Sequence, residues 1–78
     1  MMYFLYLLEC ADKSIYTGIT TDVARRFKEH QTGKGGHYTR SHEVVRVLYT
    51  EKFKTRSDAL SREIEIKRWN RKQKLALS

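Results

Sequence analysis

Six residues whose side chains or backbone could build one catalytic site are spread over most of the chain. They are Tyr6, Tyr16, Gly18, Arg26, His30 and Glu63. A carboxylate can hold a divalent cation, and a guanidinium can stabilise the charge that builds on a phosphoryl group. Phenol and imidazole groups can transfer protons. Together these groups could cleave a phosphodiester, provided that the fold brings them to one place.

The elements that must position these residues follow from the hydrophobic pattern. Residues 2–10 are rich in apolar and aromatic side chains, which predicts a strand at the centre of a sheet, and residues 15–19 complete an antiparallel hairpin. A helix capped by Thr20 or Thr21 should end near Gln31. Residues 44–50 predict a third strand, and residues 57–69 a second helix, which Asn70 breaks or bends. The order ββαβα(α) indicates an α+β fold.

Glu63 is the candidate with the clearest directional signal. The apolar positions of its helix are Ala59, Leu60, Ile64 and Ile66. With Leu60 at 0°, Glu63 falls near about −60°, inside the apolar arc, whereas Glu65 falls near about +140°, on the solvent side. A carboxylate withdrawn from water needs a cation, strong donors or a raised pKa. We expect either a bound metal ion or a salt bridge to an Arg or Lys at the edge of the core.

Arg26 and His30 are spaced i, i+4 on the first helix, beside an apolar stripe. That stripe is formed by Val23, Ala24 and Phe27. Both polar residues flank it, so they can reach the rim of the sheet together, where Arg offers a planar fork of donors to a phosphate. The alternative is a solvated basic helix face.

The tyrosines lie on the two hairpin strands, and the register decides whether they meet. A four-residue loop places Tyr6 and Tyr16 on opposite faces, whereas a three- or five-residue loop places Leu8 opposite Tyr16 and both phenols on one face. Gly18 follows in the interior of the second strand. Glycine at such a position indicates a bulge or a close approach by another group.

Size and charge limit the kind of protein. At 78 residues the chain should be a single domain over residues 1–78. Its 16 Lys and Arg against 9 Asp and Glu give a net charge of +7, which favours nucleic acid as partner. The lone Cys10 favours a reducing compartment, and the chain has no membrane-length apolar run or secretory signal. We expect a cytoplasmic protein, with no membrane or protein partner evident.

Two basic segments are candidates for nucleic-acid binding. The first is a long glycine-rich loop over residues 32–43, whose candidates are Lys34, His37, Tyr38, Arg40 and His42. Cations interleaved with an aromatic ring suit a phosphate backbone and its bases. The second is the C-terminal run, with Lys67 and Arg68 as its first candidates. A solvated surface is the alternative for both segments.

The ordered set resembles the GIY-YIG nuclease superfamily. Phe4-Leu5-Tyr6 stands where the superfamily writes Gly-Ile-Tyr, and Tyr16-Thr17-Gly18 stands where it writes Tyr-Ile-Gly. The segments YLLEC, IYTGITTD, RRFKEH and GKGGHYTR are similar to the small stand-alone bacterial members, an uncharacterised protein family. The match covers nearly the whole chain. It implies a small three-stranded antiparallel sheet flanked by helices.

The resemblance also implies metal-dependent hydrolysis of a nucleic-acid phosphodiester. In that scheme Glu63 binds one divalent cation, Mg²⁺ or Mn²⁺, and Arg26 stabilises the transition state. Tyr6 is the favoured general base for water, while Tyr16 and His30 position the nucleophile or assist proton transfer. Gly18 has a structural role.

Three functions are therefore weighed against one another. The first is a metal-dependent endonuclease or nicking enzyme, with DNA preferred over RNA and a place in DNA repair or processing. The second is a nucleic-acid-binding module that keeps the nuclease fold with little or no catalysis. The third is a membrane-surface or protein-interaction domain that uses the basic C-terminal helix.

Overall fold

The computed structural model describes residues 1–33 and 43–78. Its elements are β1 (Tyr3–Cys10), β2 (Ile15–Thr20), α1 (Val23–Gln31), β3 (Val44–Phe53), α2 (Arg56–Lys67) and α3 (Arg71–Leu75). The three strands form one antiparallel sheet in the order β2-β1-β3, which confirms the predicted fold and the central position of β1. The predicted loop candidates Lys34, His37, Tyr38, Arg40 and His42 lie outside the described residues.

The hairpin between β1 and β2 has the register that places both phenols on one face. Leu8 lies opposite Tyr16 and Glu9 opposite Ile15, so five residues connect the last paired positions. Lys13 adopts a positive φ of 73° in the turn, and Asp12 accepts hydrogen bonds from the backbone and hydroxyl of Ser14. The choice left open by the sequence is thereby settled in favour of the shared face.

The two faces of the sheet bury different clusters. On one face, β1 contributes Tyr6, Leu8 and Cys10, and α1 packs Val23 and Phe27 against them. On the other face, β1 contributes Leu5 and Leu7, which contact Ile66 of α2 and, further along the chain, Trp69 and Leu77. Because side chains alternate along a strand, β1 serves both cores at once. The buried free thiol of Cys10 belongs to the first cluster.

The helix ends are set by side-chain caps. Asp22, rather than Thr20 or Thr21, caps α1 by accepting a hydrogen bond from the backbone of Arg25 at 3.0 Å, so the predicted cap was wrong by one or two residues. Thr55 caps α2 by accepting a hydrogen bond from the backbone of Asp58 at 3.1 Å. Asn70 does not merely interrupt a helix, because it forms a reciprocal capping box with Gln73 at the start of α3.

Two side chains in the predicted apolar stripes are exposed. Ala24 of α1 faces solvent, and Ile64 of α2 is 50% exposed. In α2 the buried arc is centred on Ala59 and Ile66, both 0% exposed, because Ile66 packs into the Leu5–Leu7 cluster. With the buried arc centred on these two residues, Glu63 still lies on the inner side of α2. At 12 residues, α2 is the longest described helix, and none of them is long and apolar enough to cross a membrane.

Candidate active site

Three aromatic rings from three elements meet on the α1 face of the sheet. Tyr6 of β1, Tyr16 of β2 and His30 of α1 have ring centroids 4.9 to 6.2 Å apart. The Tyr6 hydroxyl lies 2.9 Å from Nε2 of His30, and both residues are 1% exposed. The shared face of the hairpin places the two phenols together, and the last turn of α1 supplies the imidazole.

Gly18 makes room for this cluster. It pairs with Tyr6 across the sheet, and the Tyr6 side chain lies over its backbone. A Cβ at this position would stand 2.6 Å from the Tyr6 hydroxyl oxygen and 3.1 Å from Cε2 of Tyr16. A side chain at position 18 would collide with Tyr6, which explains why the residue is glycine. The close approach that the sequence predicted is made by the rings of the two candidate tyrosines.

Burial controls the acidity of Tyr6. Removal from water raises the pKa of the Tyr6 phenol to about 12, and the nearby Tyr16 adds to the rise. A hydrogen bond and the positive charge of Arg26 act in the opposite direction, whereas the negative charge of Glu63 raises the pKa further. The phenol is therefore protonated at neutral pH in the metal-free protein.

His30 is uncharged beside this phenol. Burial lowers the pKa of the imidazole below its usual value of 6.5, and the positive charge of Arg26 lowers it further. With a protonated phenol and a neutral ring, Tyr6 can donate its hydroxyl proton to Nε2 of His30. The buried phenol thus has a hydrogen-bond acceptor inside the core.

Arg26 connects the cluster to its surroundings. Its guanidinium interacts with Tyr6 and donates to Oε1 of Glu29 at 3.0 Å, and both contacts raise the pKa of Arg26. The Arg26 side chain remains 31% exposed, so it borders solvent where a phosphate could approach. Glu29 was not among the predicted site residues, although its i, i+3 spacing from Arg26 is a recognisable signal for an orienting ion pair.

Glu63 lies near the three rings, and no described hydrogen bond connects it to them. Its carboxylate is 13% exposed and lies 3.3 Å from the Nζ atom of Lys67, one turn further along α2. Its charge acts on the Tyr6 phenol, which places it within electrostatic reach of the rings. Glu65, the outward control, is 57% exposed and pairs with Arg62. The predicted inward direction of Glu63 is correct, and the salt bridge foreseen as its alternative explanation is present.

Glu63 fits the requirements of a hard divalent cation. Within residues 1–33 and 43–78 there is no group of three or more His, Cys, Asp and Glu side chains that could hold a metal. Mg²⁺ accepts such a setting, because it keeps several waters and takes one or two carboxylates, with phosphate oxygens as further ligands. Lys67 is 55% exposed, so it is a weak and exchangeable partner for the carboxylate.

The C-terminal candidates for phosphate contact lie at the surface. Lys67 and Arg68 are exposed at the end of α2. Arg71 is exposed as well and donates through Nε to the backbone oxygen of Lys13 at 2.6 Å, which ties the start of α3 to the hairpin turn. These cations are available for contact with a polyanion, and their role stays a prediction.

Comparison with known proteins places these residues in a family. A family model described as the GIY-YIG catalytic domain matches residues 2–76. The chain belongs to the GIY-YIG family. It is 62% identical to a UPF0213 protein of Cupriavidus necator over 74 residues, which make up 95% of this chain and 80% of that protein.

Solved structures agree with this assignment. The solution structure of a UPF0213 protein from Bacillus halodurans is 44% identical, with a TM-score of 0.61 over 99% of this chain and 82% of that one. A solution structure of a protein from E. faecalis is 42% identical, with a TM-score of 0.66 over 97% of this chain and 81% of that one. The resemblance drawn from the residue pattern is confirmed. Family membership supports a nuclease-like function with nucleic acid as the substrate class.

Proposed function

We propose that this protein is a metal-dependent endonuclease that hydrolyses phosphodiester bonds, with DNA as the preferred substrate. The observation that carries the proposal is the buried contact between Tyr6 and His30, bordered by Arg26 and within electrostatic reach of Glu63. The contact brings together two kinds of group that act in proton transfer at catalytic sites, beside a guanidinium that can meet a phosphate.

Glu63 is the residue that would hold the cation. A divalent ion bound there supplies positive charge that polarises a phosphate and favours the ionised forms of nearby acids. Lys67 already places a positive charge against this carboxylate at 3.3 Å. The Lys67 ammonium thus occupies a position at which the carboxylate stabilises a positive charge. Because the Lys67 side chain is exposed, it can move away when a metal ion binds.

Arg26 is assigned to the phosphate. Glu29 holds its guanidinium on one side and Tyr6 contacts it on the other, so the donors are oriented before substrate arrives. Preorganised donors of this kind stabilise the charge that develops on the phosphoryl oxygens, typically by about 3–4 kcal/mol each. The partial exposure of Arg26 leaves a route for the substrate.

Tyr6 is the proposed base, and its raised pKa defines what the site must overcome. The pKa of the Tyr6 phenol is raised to about 12 and the pKa of His30 is lowered, so transfer of the phenol proton to His30 alone is strongly unfavourable. His30 therefore acts as the hydrogen-bond partner that holds the phenol. Arg26 and a cation at Glu63 favour the phenolate. Tyr16 packs against both rings and positions them.

Cleavage of supercoiled plasmid tests the proposal. Purified protein should nick or cut the plasmid with Mg²⁺ or Mn²⁺, and EDTA should abolish the reaction. Glu63→Gln should also abolish it, whereas Glu65→Gln, a matched change on the exposed side of α2, should retain it. Cleavage by the Glu63→Gln protein would contradict the assignment.

Binding assays identify the competing function. Branched, duplex and single-stranded DNA, and RNA, should each be tested for both binding and cleavage. Salt-sensitive binding without cleavage of any of these substrates would overturn the endonuclease proposal in favour of a nucleic-acid-binding module.

A further inference from the structure

An open cavity of about 340 Å³ lies at the C-terminal end of the chain, away from the α1 face. Trp69, Gln73, Ala76 and Leu77 line it. The wall is mostly aromatic and aliphatic, and one amide side chain is the polar exception. A cavity of this size is at the lower end of the range that takes small organic ligands. The proposed catalytic cluster does not use it.

Trp69 is held in place before any ligand arrives. One part of its side chain packs into the Leu5–Leu7 cluster, and the guanidinium of Arg62 lies 5.2 Å from the ring centroid. Arg62 is fixed in turn by Glu51 at 3.1 Å and Glu65 at 2.7 Å. A ring with so little freedom gives up little conformational entropy when a second flat group stacks on it.

The positive charge around the cavity favours a polyanionic ligand. Residues 66–78 contain no Asp or Glu, and their basic residues are Lys67, Arg68, Arg71, Lys72 and Lys74. Lys74 adjoins the cavity residue Gln73. Burial lowers the pKa of the Lys74 ammonium, and the charge of Lys67 lowers it further. An anion that binds both lysines would offset this repulsion.

Lys67 also connects this region to the candidate active site. It pairs with Glu63 at 3.3 Å and lies close enough to Lys74 for their charges to interact. A strand whose phosphates follow these two lysines would have one end at Glu63 and the other beside Trp69. The flat apolar group attached to such a phosphate chain is a nucleobase, and stacking on an aromatic ring requires that base to be unpaired.

We propose that the Trp69 cavity binds an unpaired nucleobase of a single-stranded nucleic acid whose phosphates contact Lys67 and Lys74. The inference rests on the proposed function for the class of substrate, and it adds a preference for unpaired strands. Trp69 supplies the stacking surface, Ala76 and Leu77 the apolar wall, and Gln73 the amide at the base edge.

Tryptophan fluorescence provides the test, because Trp69 is the only tryptophan in the chain. The Glu63→Gln protein, which should not cleave, is mixed with an oligothymidylate of about ten nucleotides. We expect saturable quenching of the emission. An abasic oligonucleotide with the same number of phosphates should leave the emission unchanged and bind roughly tenfold more weakly or worse. Equal affinity for the two oligonucleotides, or binding of both without quenching, would overturn the proposal.

A variant that fills the cavity keeps the test independent of folding. Ala76 is exposed and lines the cavity, so Ala76→Phe should block the site without removing a core side chain. It should abolish quenching and lower the affinity for oligothymidylate roughly tenfold or more, with an unchanged circular dichroism spectrum. Ala24→Phe, the same change at an exposed position of α1, should alter neither result. Quenching that survives Ala76→Phe would contradict the assignment.

The remaining outcomes separate this inference from the endonuclease proposal. Plasmid cleavage by the wild-type protein without base-dependent quenching would overturn the cavity assignment alone. Base-dependent quenching without cleavage would overturn the endonuclease proposal alone. If the emission changes with protein concentration and responds to neither oligonucleotide, the cavity is assigned to a second copy of the chain. That result also overturns the inference.

Discussion

Tyr6 and Tyr49 each lie beside an arginine, on opposite faces of the sheet, yet their environments differ in kind. Tyr49 donates its hydroxyl to Glu51, whose other oxygen pairs with Arg62, and Arg62 also pairs with Glu65. Every charge in this network has a partner of opposite sign. Tyr6 instead contacts the neutral ring of His30.

The cause of each raised pKa shows what the difference means. Glu51 is the main reason that the pKa of the Tyr49 phenol is raised, because the carboxylate accepts the phenol proton in a hydrogen bond. Burial is the main reason for Tyr6, and Arg26 opposes it. Tyr49 is therefore locked in its neutral form by its partner. Added positive charge near Tyr6 would lower its pKa, and that is the property the proposed catalytic phenol needs.

The largest expected effect separates the two arginines. Arg26→Gln should lower the single-turnover cleavage rate roughly 100- to 1000-fold, about 3–4 kcal/mol, because Arg26 is the proposed transition-state donor. Arg62→Gln should change that rate only a few-fold. It should instead lower the free energy of unfolding by about 1–3 kcal/mol, because Glu51 and Glu65 lose their partner. Urea denaturation and cleavage kinetics measure the two effects, and equal loss of activity in both variants would contradict the comparison.

Substitution of the two tyrosines should likewise have different effects on cleavage. Tyr6→Phe keeps the ring that packs on Gly18 and removes the hydroxyl, so cleavage should fall roughly 100-fold or more, and the free energy of unfolding should fall by about 1–3 kcal/mol because the buried His30 loses this hydrogen bond. Tyr49→Phe should retain cleavage and lower the free energy of unfolding by about 1 kcal/mol, because Glu51 loses a donor. A Tyr6→Phe protein with wild-type cleavage rate would remove the basis for a tyrosine base.

The acidity of Tyr6 also has a consequence for stability at high pH. The pKa of Tyr6 rises from 10.0 in the unfolded chain to about 12 in the fold. The stability that the fold gains from the neutral phenol is therefore complete below pH 10 and is lost as the pH rises towards 12. Relative to Tyr6→Phe, the wild-type protein should lose roughly 1 kcal/mol of unfolding free energy by pH 11. Urea titrations of both proteins at several alkaline pH values measure this difference. Parallel curves would show that Tyr6 is not buried as described.

Residue spacing was sufficient for much of the fold. Residues 2–10 predicted the central strand, and the helical wheel distinguished the inner Glu63 from the outer Glu65. The boundaries were less accurate, because β3 continues to Phe53 through charged residues. There Glu51 is stabilised by Tyr49 and Arg62, a tertiary network that local propensity does not contain.

The details of the site required the tertiary structure. Tyr6 and His30 are 24 residues apart, and their contact depends on the hairpin register and on the packing of α1 together. The sequence left that register open. In contrast, the pairs Arg26–Glu29 and Glu63–Lys67 follow helical spacings, so they could have been read from the sequence. Local pairs are thus predictable, whereas the contact proposed to carry the chemistry is not.

The pH dependence of cleavage tests the central claim that Tyr6 transfers the proton. With saturating Mg²⁺, the wild-type single-turnover rate should rise through the range from pH 7 to pH 10, because a base with a raised pKa is increasingly ionised as pH increases. Tyr6→Phe should be slow and should lose this rise. A flat wild-type profile, or the same slope in Tyr6→Phe, would contradict the account.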